Sequence, residues 1–243
     1  MIHLYKKEIS QFFNTITGPL IICLFLIING ILLWSEYSPF NLLDNTYASL
    51  NSLFFLSPLL FILFVSALCM KIFSDEFNLG TIEILLTKPI SITKIVLSKL
   101  LAVYTIVFFA ILISYVNVIS LSQISVNPEN FDNSIILSSY LGLLLITFVF
   151  VSLSILSSSI INNQIICLIL SVLISSIFYL GFDLISNINI LYNWNSLVKK
   201  IGISYHYQII CQGLLKLSSI IYFLFIGITC IFFSTLVINN KTK

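Results

Sequence analysis

The segment that decides the fold is residues 75–99, DEFNLGTIEILLTKPISITKIVLSK, which separates two long apolar runs. The chain has 11 lysines and 9 acidic residues, and six of these charges fall inside this one segment. They are Asp75, Glu76, Glu83, Lys88, Lys94 and Lys99. The segment therefore reads as a polar insert between two stretches of chain that avoid water.

The composition of the whole chain indicates an integral membrane protein. Of its 243 residues, 59% are hydrophobic and only 8% are charged, and the mean hydropathy is +1.11. A soluble domain carries roughly 25% charged residues, so this chain has too few polar groups to cover its own surface. Backbone groups cannot stay unpaired in lipid, which predicts an all-α fold. A net charge of +2 is too small to indicate a nucleic-acid partner.

Six apolar runs reach the roughly 20 residues that a helix needs to cross a bilayer. We expect transmembrane helices at about 18–35, 53–73, 100–122, 135–160, 164–182 and 217–238. They form a single domain, 1–243, with a polar insert at 74–99 and a re-entrant-like loop at 183–216. The fourth and fifth runs are joined only by INNQ, residues 161–164, which predicts a tight hairpin.

The lysines predict the orientation, because cytoplasmic loops are enriched in positive charge. Lysines precede the first run, occupy the insert and follow the last run, whereas the loops at 36–52 and 123–134 have none. Both termini and the insert are therefore expected on the cytoplasmic side of a bacterial inner membrane. The 183–216 loop is expected on the outer side, although it carries Lys199, Lys200 and Lys216.

Several kinds of chemistry are not expected from this sequence. The centres of the six runs hold no ionisable residue, which disfavours a proton-coupled or sodium-coupled transporter. There is no HExxH, GxSxG or GxxxxGK[ST] motif, and the five cysteines have no CxxC spacing. We expect no catalytic residue, no cofactor and no metal in this chain, so energy for any transport must come from another subunit.

The insert predicts two short helices joined by a hinge. Gly80 can adopt the left-handed conformation that ends a helix. Thr81 is a candidate N-cap, and Glu83 falls in the first turn of the next helix, where the helix dipole favours an anion. Pro89 ends that helix. The insert could lie on the bilayer with its lysines snorkelling to water, or it could dock on a cytoplasmic partner.

The stretch DEFNLGTIEILLTKPIS resembles the signature between the second and third spans of ABC-2 type transporter permeases. The resemblance implies that the insert couples the spans to a separately encoded ATPase that binds ATP. It also implies a second permease copy or related subunit, surrounding membrane lipid, and a transporter that works as an exporter. The residues that match the signature, and that are implied in coupling, are Glu76, Gly80, Thr81, Glu83, Leu85, Leu86 and Pro89.

Three further stretches resemble the gliding-motility-associated, GldF-like branch of that family: NGILLW (29–34), LFFLSPLLF (53–61) and ISYHYQIICQGLLKLSSIIYF (203–223). Family resemblance also implies that the outer loop forms short helices resembling a lid. Tyr205, His206 and Gly213 are the candidate outer-gate residues. His206 could be a ligand-binding residue or an interfacial polar residue.

Two questions remain open from the residues alone. The serines in SLSILSSSI, residues 152–160, could pack helices closely or line a polar path. The chain could also be a non-transporting membrane anchor for an ATPase or a motility complex, or, against the charge-free spans, an ATPase-independent channel or secondary transporter. Nothing in the spans identifies a substrate.

Overall fold

The computed structural model describes residues 1–43, 50–82, 90–125, 132–186 and 195–241. These residues form helices and connecting turns, and no strand occurs among them. The helices are α1 Ile2–Asn14, α2 Thr17–Trp34, α3 Asn51–Cys69, α4 Ser74–Asn78, α5 Ile92–Ser114, α6 Val116–Ile124, α7 Asn133–Ile160, α8 Gln164–Ser176, α9 Phe182–Ser186, α10 Asn195–Ile201, α11 Ile203–Cys211 and α12 Leu217–Lys241. A π-helical turn, Ile177–Gly181, joins α8 to α9.

The prediction of an all-α membrane protein with six spans is confirmed. Within the described residues, six helical stretches are long and apolar enough to cross a membrane. They are Thr17–Trp34, Asn51–Asn78, Ile92–Ile124, Asn133–Ile160, Gln164–Ser186 and Leu217–Lys241. The third stretch begins at Ile92 rather than near residue 100, because the helix continues through the polar residues that precede the apolar run.

The N-terminal helix α1 was not predicted. Hydropathy misses it because its sequence, IHLYKKEISQFFN, mixes charged and apolar residues and cannot span a membrane. Leu4 and Glu8 are buried, whereas Lys6 and Lys7 are exposed. The helix packs against α5 and α2, so the positive charges before the first span belong to a folded element.

Helix α7 is the centre of the bundle and packs against α3, α5, α8, α11 and α12. Its serines within 152–159 are buried, and their hydroxyls mostly donate to carbonyls of the preceding turn: Ser152 to Val149 (2.7 Å) and Ser158 to Ile155 (3.0 Å). A hydroxyl that is bonded in this way needs no partner from another helix, and serine is small, so neighbouring helices can approach it closely. The structure supports packing as the role of these serines.

Two glycines allow neighbouring elements to approach closely. A Cβ at Gly227 of α12 would lie 2.2 Å from Cε1 of Phe148 on α7. A Cβ at Gly142 of α7 would lie 3.0 Å from Cγ2 of Ile210 on α11. The helix α11 therefore sits directly on the start of α7.

The bundle has two ends with different chemistry. The terminal end, named for the chain termini that lie there, contains α1, residues 70–82, the hairpin at 161–163 and Lys241. The opposite end contains α6, α10, α11 and the N-terminal ends of α3 and α7. Side-chain ion pairs occur at the terminal end in the described part of the chain, and it is the end where the sequence predicts coupling.

Candidate functional site

The terminal end contains a buried ion-pair cluster, the Lys99 cluster, formed by Lys99, Glu8 and Glu76. The ammonium nitrogen Nζ of Lys99 donates to Oε1 of Glu8 at 3.0 Å and to Oε1 of Glu76 at 2.8 Å. Its third hydrogen bond goes to the carbonyl oxygen of Ile72 at 3.0 Å. The Lys99 side chain is only 2% exposed, so all three N–H groups are used inside the protein.

Three separate elements meet in this cluster. Glu8 comes from α1, Glu76 from α4 in the insert, and Lys99 from the first turns of α5. Nζ of Lys99 also lies 5.0 Å from the ring centre of Phe73, within reach of a cation–π contact. A buried ammonium group without partners would be very costly, so the lysine requires both α1 and the insert in their observed positions.

In one of the two alternatives for the insert its lysines snorkel to water, and Lys99 does not do so. Lysines near helix ends usually extend to water because their stems are flexible. Lys94 does remain exposed, but Lys99 points inward to two carboxylates that lie far away in sequence. Glu8 and Lys99 are the functional residues that sequence reasoning missed.

A second set of polar contacts fastens the insert to the α7–α8 hairpin. Asp75 accepts a hydrogen bond from the side-chain amide of Gln164, and Asn78 donates to the carbonyl of Asn162 at 2.9 Å. Lys241 donates to the carbonyl of Ile160 at 2.6 Å and to Oδ1 of Asn162 at 3.0 Å. The end of α12 and the insert therefore share one anchor, residues 160–164.

The hinge predicted at Gly80 is confirmed. Gly80 has φ +67°, the left-handed conformation that favours glycine, and it ends the helical stretch that begins at Ser74. Thr81 lies at the start of the next helical segment, and its hydroxyl donates a long hydrogen bond of 3.5 Å back to the carbonyl of Glu76. The N–H groups that it would cap lie outside the described residues, so its role as an N-cap stays a prediction.

The other matched residues of the insert, Glu83, Leu85, Leu86 and Pro89, lie outside the described residues. Their role in coupling stays a prediction. Glu76, Gly80 and Thr81 are brought together beside a pocket of about 340 Å³ that is lined by parts of α1, the insert and Lys99. The second carboxylate oxygen of Glu76, Oε2, is buried and has no hydrogen-bond partner among the described residues.

At the opposite end, the candidate gate residues lie on or just after α11. His206 Nδ1 lies 3.0 Å from the hydroxyl of Ser219, and its ring stacks on Tyr222 with centres 4.2 Å apart. Tyr205 meets the His206 ring edge-on at 5.5 Å. Gly213, with φ +86°, ends the α11 segment.

Partial burial lowers the pKa of the His206 imidazole, while a hydrogen bond to the backbone of Lys200 acts in the opposite direction. The ring is already satisfied by protein groups on three sides, as an interfacial polar residue would be. Among the described residues, no three His, Cys, Asp or Glu side chains come together in a way that could hold a metal ion. The expectation that the chain needs no metal or cofactor stays a prediction.

Six helices long enough to span a membrane, a polar insert fastened to them, and the short helices α10 and α11 packed at the opposite end are the architecture of a multi-pass membrane protein. The profile of a family described as "ABC-2 family transporter protein" matches residues 4–239. The chain therefore belongs to the ABC-2 transporter family. Comparison with curated proteins gives no match.

Family membership confirms the resemblance carried by the insert at the level of the family. The chain is the membrane-embedded permease subunit of an ABC transporter, and such a subunit works with an ABC ATPase. Permeases of this family are generally without a catalytic motif of their own. No relative supports the gliding-associated branch in particular.

Proposed function

We propose that this permease exports its substrate across a bacterial inner membrane, driven by a separately encoded ATPase that docks on the terminal end. The Lys99 cluster is the observation that carries this proposal. Glu76 belongs to the insert, and its ion pair with Lys99 ties the insert to α5. The ion pair of the same lysine with Glu8 ties both elements to α1.

This connection gives the insert a mechanical role. Nucleotide-driven closure of the ATPase would displace the insert, and Lys99 would pass that displacement to α5 and α1 together. Helix α3 runs directly into the insert through residues 70–73 and would move with it. Alternating access needs such rigid elements that move as units between two arrangements.

The docking surface on the insert would lie mainly after the Gly80 hinge. Glu76 lines the 340 Å³ pocket, but its second carboxylate oxygen is buried, so its role in the proposal is to hold the insert to Lys99. Leu85 and Leu86 would fill an apolar cleft, and Glu83 would add an acidic contact. The lysines at this end support a cytoplasmic position for both termini.

Two finer assignments belong to the same proposal. The stretches at 29–34, 53–61 and 203–223 favour a gliding-motility-associated permease. A second permease copy, or a related subunit, would complete the transporter. Helices α2, α8 and α12 support this arrangement, because they leave most of their apolar surface uncovered while α3, α5 and α7 are largely buried.

The proposal is tested by co-purification of the chain with its ATPase, followed by ATPase and flux measurements in vesicles. Glu76→Gln and Lys99→Met should still insert and bind the ATPase, but stimulation of ATP hydrolysis and flux should fall sharply. Lys94→Met is the matched control on the same helix, since Lys94 is exposed, and it should behave like the native chain.

A second variant examines the docking surface itself. Glu83→Lys should reduce the amount of ATPase that co-purifies while the six spans still insert. Full flux in both Lys99→Met and Glu76→Gln would contradict coupling through the Lys99 cluster. Stable ATPase binding with no flux in the native chain would instead indicate a membrane anchor.

A further inference from the structure

The opposite end of the bundle contains an open pocket of about 510 Å³. It lies between the N-terminal ends of α3 and α7, the π-helical turn and α11. Pockets that bind small molecules commonly have volumes of about 300–1,000 Å³. The π-helical turn brings Tyr179 to the pocket wall, and such turns are frequent at functional sites.

The floor of this pocket is apolar and held in place by hydrogen bonds. Phe54, Tyr179 and Tyr207 are buried there, and Phe55 is 57% exposed. The Tyr207 hydroxyl is already used, because it donates to the carbonyl of Phe54 at 2.8 Å. The floor therefore offers mainly carbon surface, with the Tyr179 hydroxyl as a polar group that no described residue hydrogen-bonds.

The rim of the pocket, unlike its floor, is polar. Asn51, Gln208 and Gln212 bring three amide side chains to the pocket, and no described residue hydrogen-bonds to them. Asp132 is the one residue with a formal charge among the described residues that line the pocket. Its carboxylate is exposed and does not cap α7, so it is available to a ligand.

We propose that this pocket binds a cationic amphiphile, with its alkyl or aromatic part against Phe54 and Phe55 and its ammonium head beside Asp132. Carbon surface buried from water favours the tail. The carboxylate of Asp132 and the amide oxygens of the rim favour a positive head, and Phe55 adds an aromatic face. An anionic head would meet the carboxylate and find no cation among the described lining residues. This site is independent of ATPase coupling.

Cys211 provides a reporter, because it lines the pocket. Burial raises the pKa of its thiol, so its reaction with a thiol reagent is slow and sensitive to access. The full chain in nanodiscs would be treated with a maleimide, and modification of Cys211 would be followed by mass spectrometry. Tyr37→Cys adds a control thiol at a position that is 99% exposed, follows the first span and lies outside the pocket lining.

Octyltrimethylammonium should slow modification of Cys211 and leave the cysteine introduced at position 37 unaffected, whereas octyl sulfate should protect neither. Asp132→Asn should weaken this protection about two- to fivefold, the effect of one exposed ion pair. Glu36→Gln, at the same end but outside the pocket lining, is its matched control. Phe55→Ala should also weaken protection, and the equally exposed Phe109→Ala on α5 should not.

Equal protection by the ammonium and the sulfate would overturn the charge assignment. Protection that survives Phe55→Ala and Asp132→Asn together would place the ligand elsewhere. Absence of protection in the native chain would overturn the site as a whole. None of these outcomes depends on an ATPase, so failure here is distinct from failure of the coupling proposal.

Discussion

Tyr207 donates its hydroxyl hydrogen to the carbonyl oxygen of Phe54, 2.8 Å away, and both groups are buried. Pro58 explains why that oxygen is free. In a regular helix the carbonyl of Phe54 would accept from the N–H of residue 58, but proline has none. The helix α11 thus completes the hydrogen bonding of span α3, from a position 153 residues later in the chain.

Tyr207→Phe should lower the free energy of unfolding by about 1–3 kcal/mol, because it leaves a buried carbonyl without a donor. Detergent-induced or thermal unfolding of the purified chain measures the loss. Tyr37→Phe is the control, since Tyr37 is almost fully exposed.

A double-mutant cycle can test whether Pro58 creates the need for the Tyr207 hydrogen bond. Pro58→Ala restores an N–H that can bond to Phe54, so Tyr207→Phe should cost less in that background than in the native one. Equal costs in both backgrounds would mean that the proline does not set the need for Tyr207.

Lys99→Met should lower the free energy of unfolding by about 3–5 kcal/mol, because two buried carboxylates lose their shared cation. Lys94→Met should have little effect. The triple variant Glu8→Gln, Glu76→Gln, Lys99→Met should recover much of the loss, since it leaves no buried charge unpaired. Additive losses in the triple variant would contradict the cluster as a single electrostatic unit.

Gly227→Ala should destabilise the contact between α12 and α7 by about 1–3 kcal/mol, because the new methyl group would overlap the Phe148 ring. Gly30→Ala provides the comparison, since no atom lies within 4 Å of a Cβ at that position. Thermal unfolding should show a lower midpoint for the first variant and an unchanged or slightly higher one for the second.

Gly80→Ala should disturb the insert locally, at a cost of about 1–2 kcal/mol for a side chain held in the left-handed region. No atom within 4 Å opposes a Cβ there, so the strain comes from the backbone alone. Hydrogen exchange in residues 74–82 should accelerate. Gly80→Asn should be milder, because asparagine tolerates this conformation, and equal effects of the two substitutions would argue against backbone strain.

The stability of the helices at the opposite end of the bundle should fall on acidification, because of His206. Burial lowers the pKa of the folded imidazole below its ordinary value of about 6.5. Between these two values the unfolded chain binds more protons, so stability is complete above about pH 6.5 and is lost as the pH falls toward the folded pKa. His206→Gln should reduce the drop in thermal midpoint between about pH 7.5 and about pH 5, and His3→Gln should not.

Hydropathy was sufficient to predict the six spans, because lipid imposes both the length and the apolar character of a helix that crosses it. The hinge at Gly80 was predictable for a similar reason, since a left-handed position between two helical patterns favours glycine. Both features arise from residues that are adjacent in the chain, so they can be predicted from the sequence alone.

The polar contacts depend on residues that are distant in sequence. Glu8 and Lys99 are 91 positions apart, and neither has a local pattern that points to the other. Pro58 does have a local consequence that can be read from the sequence, because a proline within a span leaves the carbonyl of Phe54 without its usual donor. The sequence could show that a donor was needed, but only the tertiary packing identifies it as Tyr207.

The positions of the two carboxylates relative to Lys99 also matter for how the chain is made. Glu8 and Glu76 both precede Lys99, so the ribosome has already produced both partners when the lysine emerges. The lysine can be neutralised as α5 inserts, while more than half of the chain is still to be translated. At about 5–20 residues per second, Tyr207 follows about 5–20 s later. The ion-paired end can therefore assemble first, and the carbonyl left open by Pro58 must wait for the last part of the chain.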